Sequence, residues 1–162
     1  MKKIFPLIFV SFLIFASLSL YFLDKQYFIS PIAYKWDMLI RTDIRGDGVF
    51  GAPRNGSRLH QGVDLLARLG TPVLAARSGI VVAARSSRGM GNYVIIAHRG
   101  DIKTIYGHLL KISVREGSFV RQGQLIGLVG KTGNANHRAI KPHLHFEVRK
   151  SNVPQDPLRY LD

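Results

Sequence analysis

His143 and His145 stand one residue apart within Lys141-Pro142-His143-Leu144-His145-Phe146-Glu147-Val148-Arg149, and His60 and Asp64 close the stretch His60-Gln61-Gly62-Val63-Asp64. Neutral imidazole and carboxylate are ligands that a zinc ion accepts. On a strand, residues two or four apart point to the same side, so each stretch can offer two donors to one point in space. Tyr106-Gly107-His108-Leu109 supplies a further histidine. Singly, each residue has an ordinary structural use: an aspartate caps a turn, a histidine hydrogen-bonds inside a core. Together they supply three ligands, an open coordination position for water, and spare imidazoles to carry protons. Chemistry alone leaves open which of His108, His143 and His145 completes the ligand set.

The elements that must bring these stretches together read as strands. Short apolar runs rich in Val and Ile recur between glycine and proline at 63–67, 72–76, 79–84, 93–97, 104–109, 125–129 and 144–149. They are too short for helices. Residues 86–92 read as a hairpin loop and 99–101 as a tight turn, and no amphipathic helix is evident beyond residue 42. Sixteen glycines suit a turn-dense, all-β, antiparallel sandwich of hairpins. Residues 70–81 and 117–127 echo one another and look like the bent strand–turn–strand units of duplicated lipoyl- and biotinyl-type sandwiches. No lysine sits in the hairpin setting that a swinging-arm carrier needs.

The chain has 162 residues, enough for one domain, and 46% of them are apolar. It has no cysteine, which excludes disulfides, a thiol nucleophile and thiolate metal sites. The net charge of +13 favours an anionic partner. Ile4 to Leu23 is a run of twenty uncharged residues behind Lys2 and Lys3. Its length matches a bilayer's hydrocarbon core and its flanks obey the positive-inside rule. Residues 1–23 therefore read as an N-terminal transmembrane anchor or, through Ser17-Leu18-Ser19, a cleaved signal segment. Tyr21, Phe22, Tyr27 and Phe28 are placed like an interfacial aromatic belt. Residues 24–42 read as a connector, with Tyr34, Trp36 and Met38 on a short interfacial helix. Fully extended, that stretch reaches on the order of 60 Å. The remaining domain, 43–162, carries eighteen Lys and Arg against eight Asp and Glu. Most of the basic surplus thus lies beyond the membrane, which points to an anionic envelope polymer and away from nucleic acid.

The HxxxD, YxHL and PHLHFEVR segments, in this order, resemble the lysostaphin/LytM-type zinc endopeptidases of bacterial cell walls. Phe50-Gly51-Ala52 before the first motif and Gly70-Thr71-Pro72-Val73 after it fit as well. The resemblance covers roughly 46–161 and implies His60, Asp64 and His145 as ligands of one zinc ion. It implies His108 and His143 as catalytic histidines, and peptide stems or cross-links of peptidoglycan as substrate. In such a site zinc lowers the pKa of water towards about 7 and polarises the carbonyl. One histidine takes the water proton and the other stabilises the oxyanion. The expected place of action is the bacterial envelope, on the outer side of the cytoplasmic membrane; the oligomeric state stays open.

One departure from the family pattern is the basic stretch Asn134-Ala135-Asn136-His137-Arg138-Ala139-Ile140-Lys141, longer than usual before the Pro-His-Leu-His strand. It bears on substrate choice, with His137 as a loop residue. Arg54, Arg58, Arg138 and Lys141 are candidates to meet stem-peptide carboxylates. Gly130-Lys131-Thr132 lacks the first glycine of a phosphate loop, since Leu125 stands there. Two further classes compete with an enzyme. A non-hydrolytic wall-binding or amidase-activating module would keep the fold without the full site, and relatives of that kind have lost some of these residues. A charge-driven nucleic-acid binder would lack any stacking or groove-reading motif.

Overall fold

The computed structural model of the chain describes residues 10–11, 27–35, 37–54 and 56–161. Most of the apolar run over 4–23 lies outside them, as does Trp36. Among the described residues no helix is long and apolar enough to cross a membrane.

The fold is all-β and antiparallel. Twelve strands follow in chain order: β1 Thr42–Asp43, β2 Gly46–Asp47, β3 Val63–Leu66, β4 Pro72–Leu74, β5 Gly79–Ser87 and β6 Gly91–His98, then β7 Ile102–Leu109, β8 Lys111–Ile112, β9 Phe119–Val120, β10 Leu125–Leu128, β11 His143–Lys150 and β12 Val153–Gln155. The main sheet runs β12-β11-β7-β6-β5-β9, with β3 also paired to β11. A smaller sheet runs β4-β10-β8, and β1 and β2 form a separate hairpin. Val73 of β4 and Ile126 of β10 share one buried cluster with Val94, Ile96, Tyr106, Leu144 and Phe146 of the main sheet. The core is therefore the space between the two sheets.

Alternation decides what faces that core. On β11, Leu144, Phe146 and Val148 are wholly buried in it, which turns His143, His145 and Glu147 to the opposite face. On β3, Val63 and Leu65 face the core and Asp64 does not. The two similar segments at 70–81 and 117–127 pair with each other: β4 with β10, and the start of β5 with β9.

Two expectations need correction. The hairpin loop expected over 86–92 shrinks to the turn between Ser87 and Gly91, because β5 and β6 pair out to those residues. Within the stretch read as a connector, 24–42, described residues from Phe28 onwards pack onto the domain. Phe28 and Ile32 are buried in the core, at 3% and 2% exposure. Ile29 N–H donates to Ala76 O, Leu74 N–H to Pro31 O and Arg41 N–H to Asp64 O. Tyr34 and Met38 pack against the core from non-helical backbone instead of lying on an interfacial helix. Apolar side chains with a core within reach bury there.

Candidate metal centre

Three elements bring the site together, and β11 lies in the middle. His145 is directly opposite Asp64 of β3 on one side and Gly107 of β7 on the other. Cross-strand partners of this kind point to the same face within contact distance. Gly107 matters here because a Cβ at that position would approach the His145 ring and the end of Met90. His60 reaches the same point from the segment leading into β3. Gly62 beside it lies so close to β11 that a Cβ would collide with Phe146 O and the Glu147 side chain.

His108 arrives by a different route. Strict alternation from Tyr106, which is buried in the core, would turn His108 to the core as well. Instead Asn92 pairs with Leu109 and Val94 with Tyr106, so Gly107 and His108 together oppose Tyr93. This is a β-bulge, and His108 sits in it at φ 60°. The bulge re-aims the ring to the face of His143 and His145, with ring centroids 5.1 and 5.8 Å away. Its amide is held by Met90 O.

Three donor atoms meet at one point. His60 Nε2, Asp64 Oδ1 and His145 Nδ1 are separated by 3.0 Å between the imidazoles and by 3.1 and 2.9 Å from each to the carboxylate. All three residues are buried. Ligand atoms about 2.0–2.1 Å from a tetrahedral zinc would lie about 3.3 Å apart. The triangle is close to that size, so these residues could hold a metal ion.

The outer atoms of the same side chains are fixed, and this sets which nitrogen faces inward. Val49 O can only accept, so His60 Nδ1 donates to it at 2.9 Å and Nε2 is the nitrogen that faces inward. His145 Nε2 donates to Glu147 Oε1 at 2.9 Å, which leaves Nδ1 inward. Glu147 is held in turn by Arg149 Nε at 2.7 Å, and Arg149 Nη2 donates to Gln61 Oε1. Asp64 Oδ2 accepts from Arg41 Nε and Nη2 at 3.2 and 3.0 Å and lies 3.4 Å from Arg54 Nη2, leaving Oδ1 for the centre. His108 Nδ1 donates to Thr132 O at 3.0 Å and His143 Nδ1 to Lys141 O at 2.7 Å, so both Nε2 atoms are free of the backbone. His143 Nε2 lies 3.9 Å from Asp64 Oδ1.

The charges follow from this packing. Burial alone would raise the Asp64 carboxyl, but hydrogen bonds from His145 and His60 hold it far below the usual carboxylate range. Burial, together with the neighbouring rings of His145 and His143, pushes His108 down to about 3. Burial also lowers His143. Burial would lower His145 as well, but Asp64 and Glu147 on its two nitrogens raise it to about 9 in the metal-free chain.

The five residues singled out in the sequence thus converge on one cleft of about 830 Å³. Glu147 and Arg41 belong to the same network and were not singled out. Glu147 had a signal, since it continues the period-two series of His143 and His145. Arg41 had none, because it lies in the stretch read as connector. The stretch from 134 to 141 also lines the cleft, through Asn134, Ala135, His137 and Ile140. It begins just after Thr132 and ends at Lys141, whose carbonyls hold His108 and His143. It therefore bears on the positions of both rings as well as on the cleft wall. Of the four basic residues expected near substrate, Arg54 and Arg58 line the cleft, and Arg138 and Lys141 do not.

A family profile, Peptidase family M23, matches residues 58–157. The chain is 46% identical over 108 residues to a Pseudomonas aeruginosa protein named Lipoprotein NlpD/LppB homolog, covering 66% of this chain and 34% of that one. It is 43% identical over 101 residues to the DD-carboxypeptidase/endopeptidase Mpg of Neisseria meningitidis serogroup B, covering 62% of this chain and 22% of that one. Its fold matches a crystal structure of a zinc containing peptidase from Vibrio cholerae with a TM-score of 0.67 at 34% identity, over 82% of this chain and 39% of that one. The chain spans about a third or less of the length of these curated relatives.

Proposed function

The chain belongs to peptidase family M23, and from that premise we propose that it is a zinc metalloendopeptidase hydrolysing peptide bonds in the stems or cross-links of peptidoglycan. The observation that carries this reading is the set of inward-facing ligand atoms. His60 Nε2, Asp64 Oδ1 and His145 Nδ1 meet at one buried point, and each outer atom is pinned by a separate partner. We assign these three as the ligands of one zinc ion and His108 and His143 as the catalytic pair.

Zinc held there supplies a Lewis acid and a source of hydroxide near neutral pH. The protein supplies the rest. Burial keeps His108 and His143 neutral at pH 7, with Nε2 facing the cleft, so either can accept a proton from the attacking water. Once protonated, that ring is a donor, able to stabilise the carbonyl oxygen or to protonate the leaving amine. The Thr132 and Lys141 carbonyls fix both rings before substrate arrives, which saves the cost of ordering them.

Likeness to a Salmonella dublin protein named Murein hydrolase activator NlpD supports a second reading, a non-hydrolytic wall-binding or amidase-activating module. The intact five-residue set favours the enzyme. We further assign the protein to the bacterial envelope, with 1–23 as anchor or signal segment and the catalytic domain on the outer side of the cytoplasmic membrane. The test is digestion of purified peptidoglycan with the full chain, zinc-loaded and zinc-stripped, and identification of new termini by mass spectrometry. New amino termini within stems or cross-links, produced only with zinc, are expected. Bound zinc without new termini would select the second reading.

A further inference from the structure

The cleft is lined by four arginines, Arg41, Arg45, Arg54 and Arg58, and by only two carboxylates, Asp64 and Glu147. Both carboxylates are engaged within the site. Three of the arginines are engaged too. Arg41 is bound to Asp64 and Asp43, Arg54 to Asp64 and to Asp47 O, and Arg45 Nη2 lies 2.9 Å from His137 Nε2. Arg58 differs. Among the described residues its guanidinium makes no ion pair or side-chain hydrogen bond.

Its backbone, by contrast, is fixed. Arg54 N–H donates to Arg58 O at 2.9 Å, Leu59 bridges Pro53, and His60 N–H donates to Ala52 O. This small hairpin forms one wall of the cleft. Along it Arg58, Leu59 and His60 all line the cleft, which places the Arg58 side chain beside the site. A cation on fixed backbone, two residues from a metal-binding histidine and without a side-chain partner among the described residues, is suited to a substrate anion. Arginine in particular offers a planar fork that matches a carboxylate.

We propose that Arg58 receives a free carboxylate of the bound peptide, so that the cleft selects anionic peptides over those whose carboxyls are amidated. The inference rests on the peptidase reading and narrows its substrate class. The surplus of positive charge in the cleft attracts such a peptide, and Arg58 fixes its register relative to the scissile bond.

The experiment uses the full zinc-loaded chain and two cross-linked muropeptides, identical except that one has free peptide carboxyls and the other has them converted to amides. Hydrolysis and calorimetric binding are both measured. The parent is expected to prefer the free acid by about tenfold or more in kcat/KM and in affinity, the scale of one charge-assisted hydrogen bond. Arg58→Gln should bring both ratios towards one, Arg58→Lys should recover part of them, and Arg115→Gln, outside the cleft, should keep the parent's ratios. Equal cleavage of both peptides by the parent overturns the inference and leaves the peptidase reading standing. A preference that survives in Arg58→Gln overturns the assignment to Arg58. Preferential binding that depends on Arg58, without cleavage, upholds the inference and overturns the peptidase reading.

Discussion

Each histidine of the site spends its outer nitrogen on a fixed acceptor, and this decides what the inner nitrogen can do. Glu147 does so for His145 and is the residue whose loss should separate positioning from ligation. Glu147→Gln is expected to retain zinc with an affinity weakened by about 10- to 100-fold. Unchanged affinity in competition with a chelator would remove Glu147 from the network. The same contacts predict a pH dependence. In the metal-free chain His145 is raised to about 9, so it adds stability below its unfolded value of about 6.5 that is lost as pH rises through about 9. Zinc requires the Nδ1 lone pair, so uptake at pH 7 should release close to one proton, and affinity should tighten by about tenfold per pH unit from 7 to 9. Calorimetry in buffers of different ionisation enthalpy counts that proton, and a count near zero would contradict the ligand assignment. His108→Ala and His143→Ala should keep most of the zinc and lose about 10²- to 10⁴-fold in turnover. Near-parental rates in either variant would end its catalytic role.

At the scale of elements, the site depends on how closely β3 and its leading segment lie on β11. Gly62→Ala introduces a Cβ that meets Phe146 O and the Glu147 side chain, so the strand must move and take His60 and Asp64 with it. The variant should lose zinc and melt at a lower temperature; a parental melting point with full zinc would show that the segment yields without cost. The stretch 134–141 is anchored at both ends by carbonyls that hold His108 and His143, and Lys141 N–H is held by Asp43 Oδ2 at 3.2 Å. Deleting within 137–140 should therefore spare zinc binding and change the preference between linear stems and cross-linked muropeptides. An unchanged preference in a digest of the two would take the loop out of substrate choice.

At the scale of the whole molecule, the stable unit extends upstream of the peptidase motifs. Burying Phe28 and Ile32 contributes about 1.5–3 kcal/mol each. Arg41 adds the hydrogen bonds that hold Asp64 Oδ2. A fragment spanning 27–162 is therefore expected to melt well above one spanning 43–162, and to bind zinc more tightly. Equal melting temperatures in thermal denaturation would show that 27–42 only rests on the surface. The position of this segment also bears on geometry. Phe28 packs on His98 at the end of β6, whereas His108 lies at the far end of β7. Phe28 thus lies at the end of the sheet remote from the cleft.

The sequence by itself determined the chemistry. The identity and order of His60, Asp64, His108, His143 and His145, and the period of two within the HxH strand, can be read without coordinates, because ligand type and strand alternation are local properties. The all-β class follows for the same reason. What only the tertiary structure decided are the relations between distant stretches. The bulge that turns His108 to the site arises from its pairing with β6, and no local spacing encodes it. The strands β1, β2, β8, β9 and β12 are two or three residues long and exist only through their partners. Arg41, Phe28 and Ile32 looked like parts of a connector because their partners, Asp64 and the core between the sheets, are supplied by residues far along the chain. Hydrogen bonding across sheets and burial of apolar area depend on what lies opposite in space, and that is fixed only when the fold closes.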